Sequence, residues 1–284
     1  MKRKVLACID ASPYADVVSD YAIWAAAKLD VAMLLVHALD KAQHTQTPDL
    51  SGSIGLGSQE LLLQQLAELD EKHSKLALEQ GRQLLDAAKL RVEHAGVSAV
   101  AEHLRHGSLL ETLTELEEQT RLIVIGKRGV SSTDAHGQMG QHVERLIRNV
   151  QKPILLTQQA YTEPKRIMFA YDGSATALKS LEMLAASPLV RGLPIHLVIA
   201  GAEDDTTRIQ LSSAAALLKT AGFDLKTAIV EGEPQTVLQQ YQQDHLIDLM
   251  VMGAYGHSRI RQFILGSTTT AMICNVKCAL LILR

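Results

Sequence analysis

Apolar positions along the chain follow two alternating rhythms. Short continuous apolar runs read as strands buried on both faces, and the stretches between them repeat their apolar residues at helical spacing. Val5 to Ile9 is a run of the first kind and stops at Asp10-Ala11-Ser12. Pro13 then fits the first turn of a helix, where its missing N–H costs nothing, and this helix is expected to reach about Leu29. It carries Val17, Tyr21, Trp24, Ala25 and Lys28 at helical spacing, with both aromatics read as core. Strands are expected next at 31–38, 99–104, 122–125 and 153–156, and helices at 59–95, 107–119 and 138–149.

Residues 39–58 break the rhythm. They are polar and end in Ser51-Gly52-Ser53-Ile54-Gly55-Leu56-Gly57-Ser58, which reads as a surface loop in preference to a ligand loop. The helix at 59–95 is long and rich in Leu, Gln, Glu and Lys, as one leucine stripe beside a solvated face requires. A short linker at 158–165 follows, and then the order repeats. Strands are expected at 166–171, 195–200, 225–230, 246–252 and 279–283, and helices at 175–186, 206–221, 234–243 and 267–274.

The repeat has landmarks. Asp10 matches Asp172, Gly126 and Gly129 match Gly253 and Gly256, Gly140 matches Gly266, and Asn149-Val150 matches Asn275-Val276. From the aspartate to the first glycine is 116 residues in the first half and 81 in the second, a difference assigned to the loop and lengthened helix within 39–75. Two domains follow, 1–158 and 165–284, each an α/β unit of five parallel strands with helices on both faces. Ligands of such sheets bind at the carboxyl ends of the strands, where the strand order reverses. Asp172 and Gly253 both end strands and are expected to converge there.

Composition narrows the classes. A length of 284 residues with 47% apolar content supports two packed cores. A net charge of −3 and 4% aromatics argue against a nucleic-acid binder. Cys8, Cys274 and Cys278 make no disulfide framework and read as reduced core thiols, and the eleven histidines show no metal-ligand spacing. The apolar run after Met1-Lys2-Arg3-Lys4 is too short for a signal peptide, and no stretch reaches the ~20 apolar residues of a membrane span. The expectation is a cytoplasmic protein with no membrane partner.

The candidate chemistry lies near the C-terminus. Leu249 to Met252 run into Gly253, Gly256 follows, and after nine intervening residues comes Gly266-Ser267-Thr268-Thr269-Thr270. This reads as a buried strand, a glycine turn, a loop and a helix start. Glycines let backbone approach a ligand, and a helix N-terminus offers unpaired N–H groups to phosphate. An ordinary strand–loop–helix connection is the alternative. Neither G-x-x-x-x-G-K-[ST] nor G-x-G-x-x-G is present.

The form G-x2-G-x9-G-S resembles the nucleotide-binding motif of the universal stress protein family. With the aspartate after the first strand and the five-strand order, the whole chain looks like a tandem member of that family. The resemblance implies an α/β fold like that of the adenine-nucleotide alpha hydrolases. It places Asp172 near adenine or ribose, Gly253 and Gly256 at the phosphates, and Gly266 with Ser267 at the helix start. The Met252 backbone, Ala200 and Thr268 are secondary members. Arg259 and Arg261 lie inside the loop and either neutralise phosphate or face solvent; His257 reads as a loop hydrogen-bonder rather than a catalyst.

The first half departs from this motif. Ten residues separate Gly129 from Gly140, and Gln141 stands where the second half has Ser267. Asp10, Gly126, Gly129, Gly140 and Gln141 therefore form a degenerate site. The function implied is ATP binding in the second domain, with Mg²⁺ as its companion ion, by a stress-response regulatory or interaction module. No catalytic residue is assigned. A slow ATPase or nucleotide-activating enzyme stays open, as does a protein that binds no nucleotide and acts through its surfaces. A pyrophosphate loop of such an enzyme would be rich in serine and glycine, and Asp172-Gly173-Ser174-Ala175 lacks the repeated glycines. Fused halves form a pseudo-dimer within one chain. The apolar last strands either pair with each other or lie buried in their own sheets, and a homodimer of chains also stays open.

Overall fold

The computed structural model describes residues 3–40, 56–129, 140–254 and 266–284, with backbone alone for 56–63, 141 and 142. The first half runs β1 (Lys4–Cys8), α1 (Ala15–Leu29), β2 (Met33–Leu39), α2 (Leu56–His94), β3 (Val100–His106), α3 (Leu109–Glu115), β4 (Thr120–Gly126), α4 (Gln141–Asn149) and β5 (Ile154–Thr157). The second runs β6 (Ile167–Tyr171), α5 (Ala175–Ala185), β7 (Ile195–Ala200), α6 (Asp205–Thr220), β8 (Leu225–Val230), α7 (Pro234–Asp244), β9 (Leu249–Gly253), α8 (Ser267–Asn275) and β10 (Ala279–Leu283).

The strands build one sheet in the order β3-β2-β1-β4-β5-β10-β9-β6-β7-β8. Each half contributes five parallel strands. The halves join where β5 and β10 pair antiparallel, Leu155 opposite Leu281. Of the two alternatives for the last strands, pairing is the one found. Leu155, Leu156, Leu280, Leu281 and Ile282 are all buried, so both strands need cover on their faces and a partner for their edge N–H and C=O groups.

Helices α1, α2, α5 and α6 cover one face of the sheet, and α3, α4, α7 and α8 the other. Alternation along each strand divides the apolar residues between these layers: Val5 and Ala7 point one way, Leu6 and Cys8 the other. Each layer is continuous across both halves. Tyr21 and Trp24 are buried, as their spacing predicts. On the same face α1 packs against the 3-10 turn Pro188–Val190 of the second half. The Tyr21 ring meets Tyr161 edge-on at 4.8 Å.

Several boundaries differ from expectation, and four of them have a visible local reason. Helix α1 starts at Ala15, after Pro13, because Ser12 and Asp10 form a side-chain turn: Ser12 N donates to Asp10 Oδ1 at 3.1 Å and Tyr14 N to Ser12 Oγ at 3.3 Å. Helix α3 stops at Glu115, and Glu117–Gln119 tighten into a 3-10 turn whose preceding carbonyl, Leu116 O, accepts from Thr120 Oγ1 at 2.7 Å. Strand β9 begins three residues late because Leu246 takes φ +50° in the turn after α7. Helix α2 begins at Leu56, inside the stretch read as loop, and 41–55 lie outside the described residues. The strand order reverses between β1 and β4 and again between β6 and β9, which gives each half a crevice at the carboxyl ends of its strands.

Candidate functional site

In the second half the chain leaves β6 at Asp172, whose Oδ1 accepts from Ser174 N at 2.9 Å. Gly173 takes φ +75°, a conformation that favours glycine, and a Cβ there would have to displace the Gln210 amide, 2.4 Å away. Ser174 caps α5 by accepting from Ala177 N at 3.1 Å. The neighbouring strand β9 places Met252 in register with Ala170, buries its side chain, and ends at Gly253. Ala254 is held down by its N–H to Leu283 O at 3.0 Å. Ala200 closes β7, one strand further out.

Helix α8 begins with Gly266 as its N-cap. Gly266 O accepts from Thr270 N at 2.9 Å, and among the described residues no side chain caps the first turn. Ser267 is exposed, Thr268 half-buried, and Thr269 buried with Oγ1 donating to Ala254 O at 3.5 Å. The last contact ties the start of α8 to the end of β9. The first turn of α8 holds no acidic residue. Its leading N–H groups and the positive end of its dipole therefore suit an anion. Asp172, Ala200, Met252 and Gly253 thus stand at or just past the carboxyl ends of β6, β7 and β9, and Gly266, Ser267 and Thr268 at the start of α8. Gly256, His257, Arg259 and Arg261 lie outside the described residues.

The first-half crevice has the same frame and different contents. Ser12 Oγ donates to Asp10, whereas its counterpart Ser174 Oγ serves the helix cap. A Cβ on Gly129 would lie 2.9 Å from Asp10 Oδ2, and one on Gly126 would lie 2.7 Å from Tyr14 Cβ. The buried tyrosine therefore stands where a side chain at 126 would go, and the carboxylate lies near where one at 129 would begin. Gly140 N-caps α4 without side-chain help and Gln141 is its first residue.

Three residues went unread in the sequence, although matching the halves exposes each. Tyr14 matches Thr176, Glu144 matches Thr270, and Lys127 matches Ala254. Glu144 puts a carboxylate in the first turn of α4, where a phosphate would otherwise benefit from the dipole; it pairs there with Arg148. Lys127 is 7% exposed and, among the described residues, is the one charged side chain so buried. Burial lowers its ammonium pKa to about 8. Cys8 and Cys278 are buried and Cys274 half-buried, all as free thiols. Burial pushes the Cys278 pKa up to about 12. No helix among the described residues is long and apolar enough to cross a membrane.

Comparison with known proteins places this arrangement. The universal stress protein family model matches residues 1–158 and 163–284, and the chain belongs to that family. It is 37% identical over 275 residues to Universal stress protein Slr1230 of Synechocystis sp., covering 95% of this chain and 96% of the relative. The fold is similar to that of a universal stress protein from Archaeoglobus fulgidus DSM 4304, with a TM-score of 0.71, 18% identity, and coverage of 99% of this chain and 96% of that one. It is also similar to a Pseudomonas aeruginosa PAO1 protein of unknown function, with a TM-score of 0.61, 16% identity, and coverage of 99% and 92%.

Proposed function

We propose that this tandem universal stress protein binds an adenine nucleotide, ATP with Mg²⁺, in its second domain and works as a nucleotide-dependent regulatory or interaction module of a cytoplasmic stress response. The domains are 1–158 and 165–284. The observation that carries the reading is the start of α8: an N-terminus with no acidic residue in its first turn and, among the described residues, no side-chain cap, tied by Thr269 to the end of β9. A nucleotide laid across this crevice meets Asp172 and Ala200 at its nucleoside end. The Met252 backbone and Gly253 line its path, and its phosphates meet the N–H groups of Ser267 and Thr268 behind Gly266. Gly256, His257 and Arg259 complete the loop side in this reading. The first domain is the partner: Tyr14, Asp10 and Glu144 occupy or oppose the positions that phosphate and loop need.

Titration calorimetry with ATP and Mg²⁺ on the wild type and on Gly266→Val tests this. One site is expected in the wild type, weakened at least about tenfold in the variant, which is ~1.4 kcal/mol. Two sites would overturn the assignment of the first domain. Absence of wild-type binding would overturn the nucleotide reading and leave a protein acting through its surfaces.

A further inference from the structure

Helix α8 has its proposed phosphate cradle at one end, and the donors that finish its other end come from the opposite half of the chain. Nine residues make α8 a rod of about 13 Å. Its C-cap is Val276, whose N–H bonds Met272 O at 3.0 Å. The Val276 carbonyl accepts from Lys127 Nζ at 3.3 Å and from Gln158 Nε2 at 3.0 Å. Gln158 Nε2 also reaches Cys278 O at 2.7 Å. Both donors belong to the first half: Lys127 follows Gly126 at the end of β4, and Gln158 follows β5. Lys127 is itself anchored, its N–H donating to Thr157 O at 3.3 Å. A buried cation against the last carbonyls of a helix is a favourable charge–dipole pair, and it satisfies groups a helix end leaves open.

The arrangement is returned with other chemistry. Arg284, after β10, donates through one guanidinium nitrogen to Ile147 O, Arg148 O and Val150 O at 2.9–3.0 Å, finishing α4 of the first half. Arg284 and Gln158 hold matching positions, one residue beyond their last strands. Lys127 has no such counterpart, because the second half carries Ala254 there.

We propose that Lys127 and Gln158 are positioning residues for the nucleotide site of the second domain: they seat α8 from its far end, so that the glycine loop of the first domain sets how well the second binds phosphate. The inference rests on the nucleotide reading above. It gives the first domain a task that needs no ligand of its own, because the loop between Gly126 and Gly129 delivers the ammonium group. Among the described residues, the titratable groups around Lys127 are the Arg128 guanidinium and the thiols of Cys274 on α8 and Cys278 ahead of β10. No carboxylate is among them, so the ammonium is held by backbone carbonyl and dipole and loses its proton near pH 8.

The test is ATP–Mg²⁺ titration of the full chain from pH 7 to 9.5, on the wild type, Lys127→Met and Lys127→Arg, with amide exchange of α8 read in parallel. Lys127→Met should bind roughly five- to tenfold more weakly at pH 7, a usual size for coupling between sites, and its α8 amides should exchange faster. Wild-type affinity should fall as pH rises through about 8, and Lys127→Arg, which keeps its charge, should lose that step while binding within about twofold of wild type at pH 7. Equal affinities and a pH step shared by all three proteins would overturn the inference and leave the nucleotide reading standing. A wild type that binds no ATP overturns the reading, and the inference with it. If Lys127→Met does not fold, the arginine variant decides alone: a step retained near pH 8 counts against Lys127.

Discussion

The two crevices of this molecule share a frame and differ in what fills it. Each lies where strand order reverses, after an aspartate that ends the first strand, beside a helix N-capped by glycine. In the second, the hydroxyl of Ser174 caps a helix and the first turn of α8 carries only hydroxyls and N–H groups. In the first, Ser12 holds Asp10, Asp10 lies near where a side chain at 129 would begin, Tyr14 stands where one at 126 would go, and Glu144 enters the first turn of α4. The frame is therefore set by backbone and buried apolar residues, which both halves keep. The binding chemistry is set by a few side chains at strand and helix ends, which they do not share. A family fold can thus persist in both halves while the side chains at its strand and helix ends diverge.

The largest expected effect tests whether the frame is one unit. Leu281 is 1% exposed on β10 and faces the joint core, so Leu281→Ala should cost about 2–5 kcal/mol. Trp24, the only tryptophan, reports on the first half. Its fluorescence transition in urea should move to lower denaturant together with the circular dichroism transition. A tryptophan transition left at its wild-type midpoint would mean that the halves unfold separately.

Next in size is an exchange of contents. Thr270→Glu gives α8 the first-turn carboxylate of α4, and ATP affinity should drop about tenfold, ~1.4 kcal/mol. Calorimetry would show it, and unchanged affinity would remove Glu144 from the explanation of the first half. The smallest effect separates the two serines. Ser174→Ala removes a helix cap and should lower stability by about 1 kcal/mol in urea unfolding. Ser12→Ala leaves α1 without a lost cap, since Tyr14 is the N-cap and makes no side-chain cap bond. Equal losses in the two variants would erase that distinction.

Much of the frame was legible in the chain. The runs ending at Ala200 and Val230 match strands β7 and β8 because Pro194 and Gly201 bound the first and Asp224 and Gly232 the second. Helix ends were harder. The sequence through Glu117-Glu118-Gln119 continues a helical pattern, and the turn that stops α3 depends on Thr120 bonding backward. Apolar strands such as Ile154–Thr157 declare burial without declaring their neighbour, so the merger of two sheets into one could not be read. Lys127 was hidden by its setting: between Gly126 and Arg128 it looks like a loop cation, and only the approach of α8 from the other half buries it.

The antiparallel seam of β5 and β10 also bears on how such a chain can change. In a symmetric homodimer each substitution appears on both sides of the dyad, so a lysine suited to one side is imposed on the other. Fusion breaks that bond. The partner strand is always present, at an effective concentration that dilution cannot lower, and each side mutates alone. Lys127 facing Val276 while Ala254 stands at the mirrored place, and Glu144 on α4 against Thr270 on α8, are differences that a symmetric homodimer cannot hold. Each half is free to change its own contacts across the seam, Lys127 and Gln158 on one side and Arg284 on the other, without the same change appearing opposite.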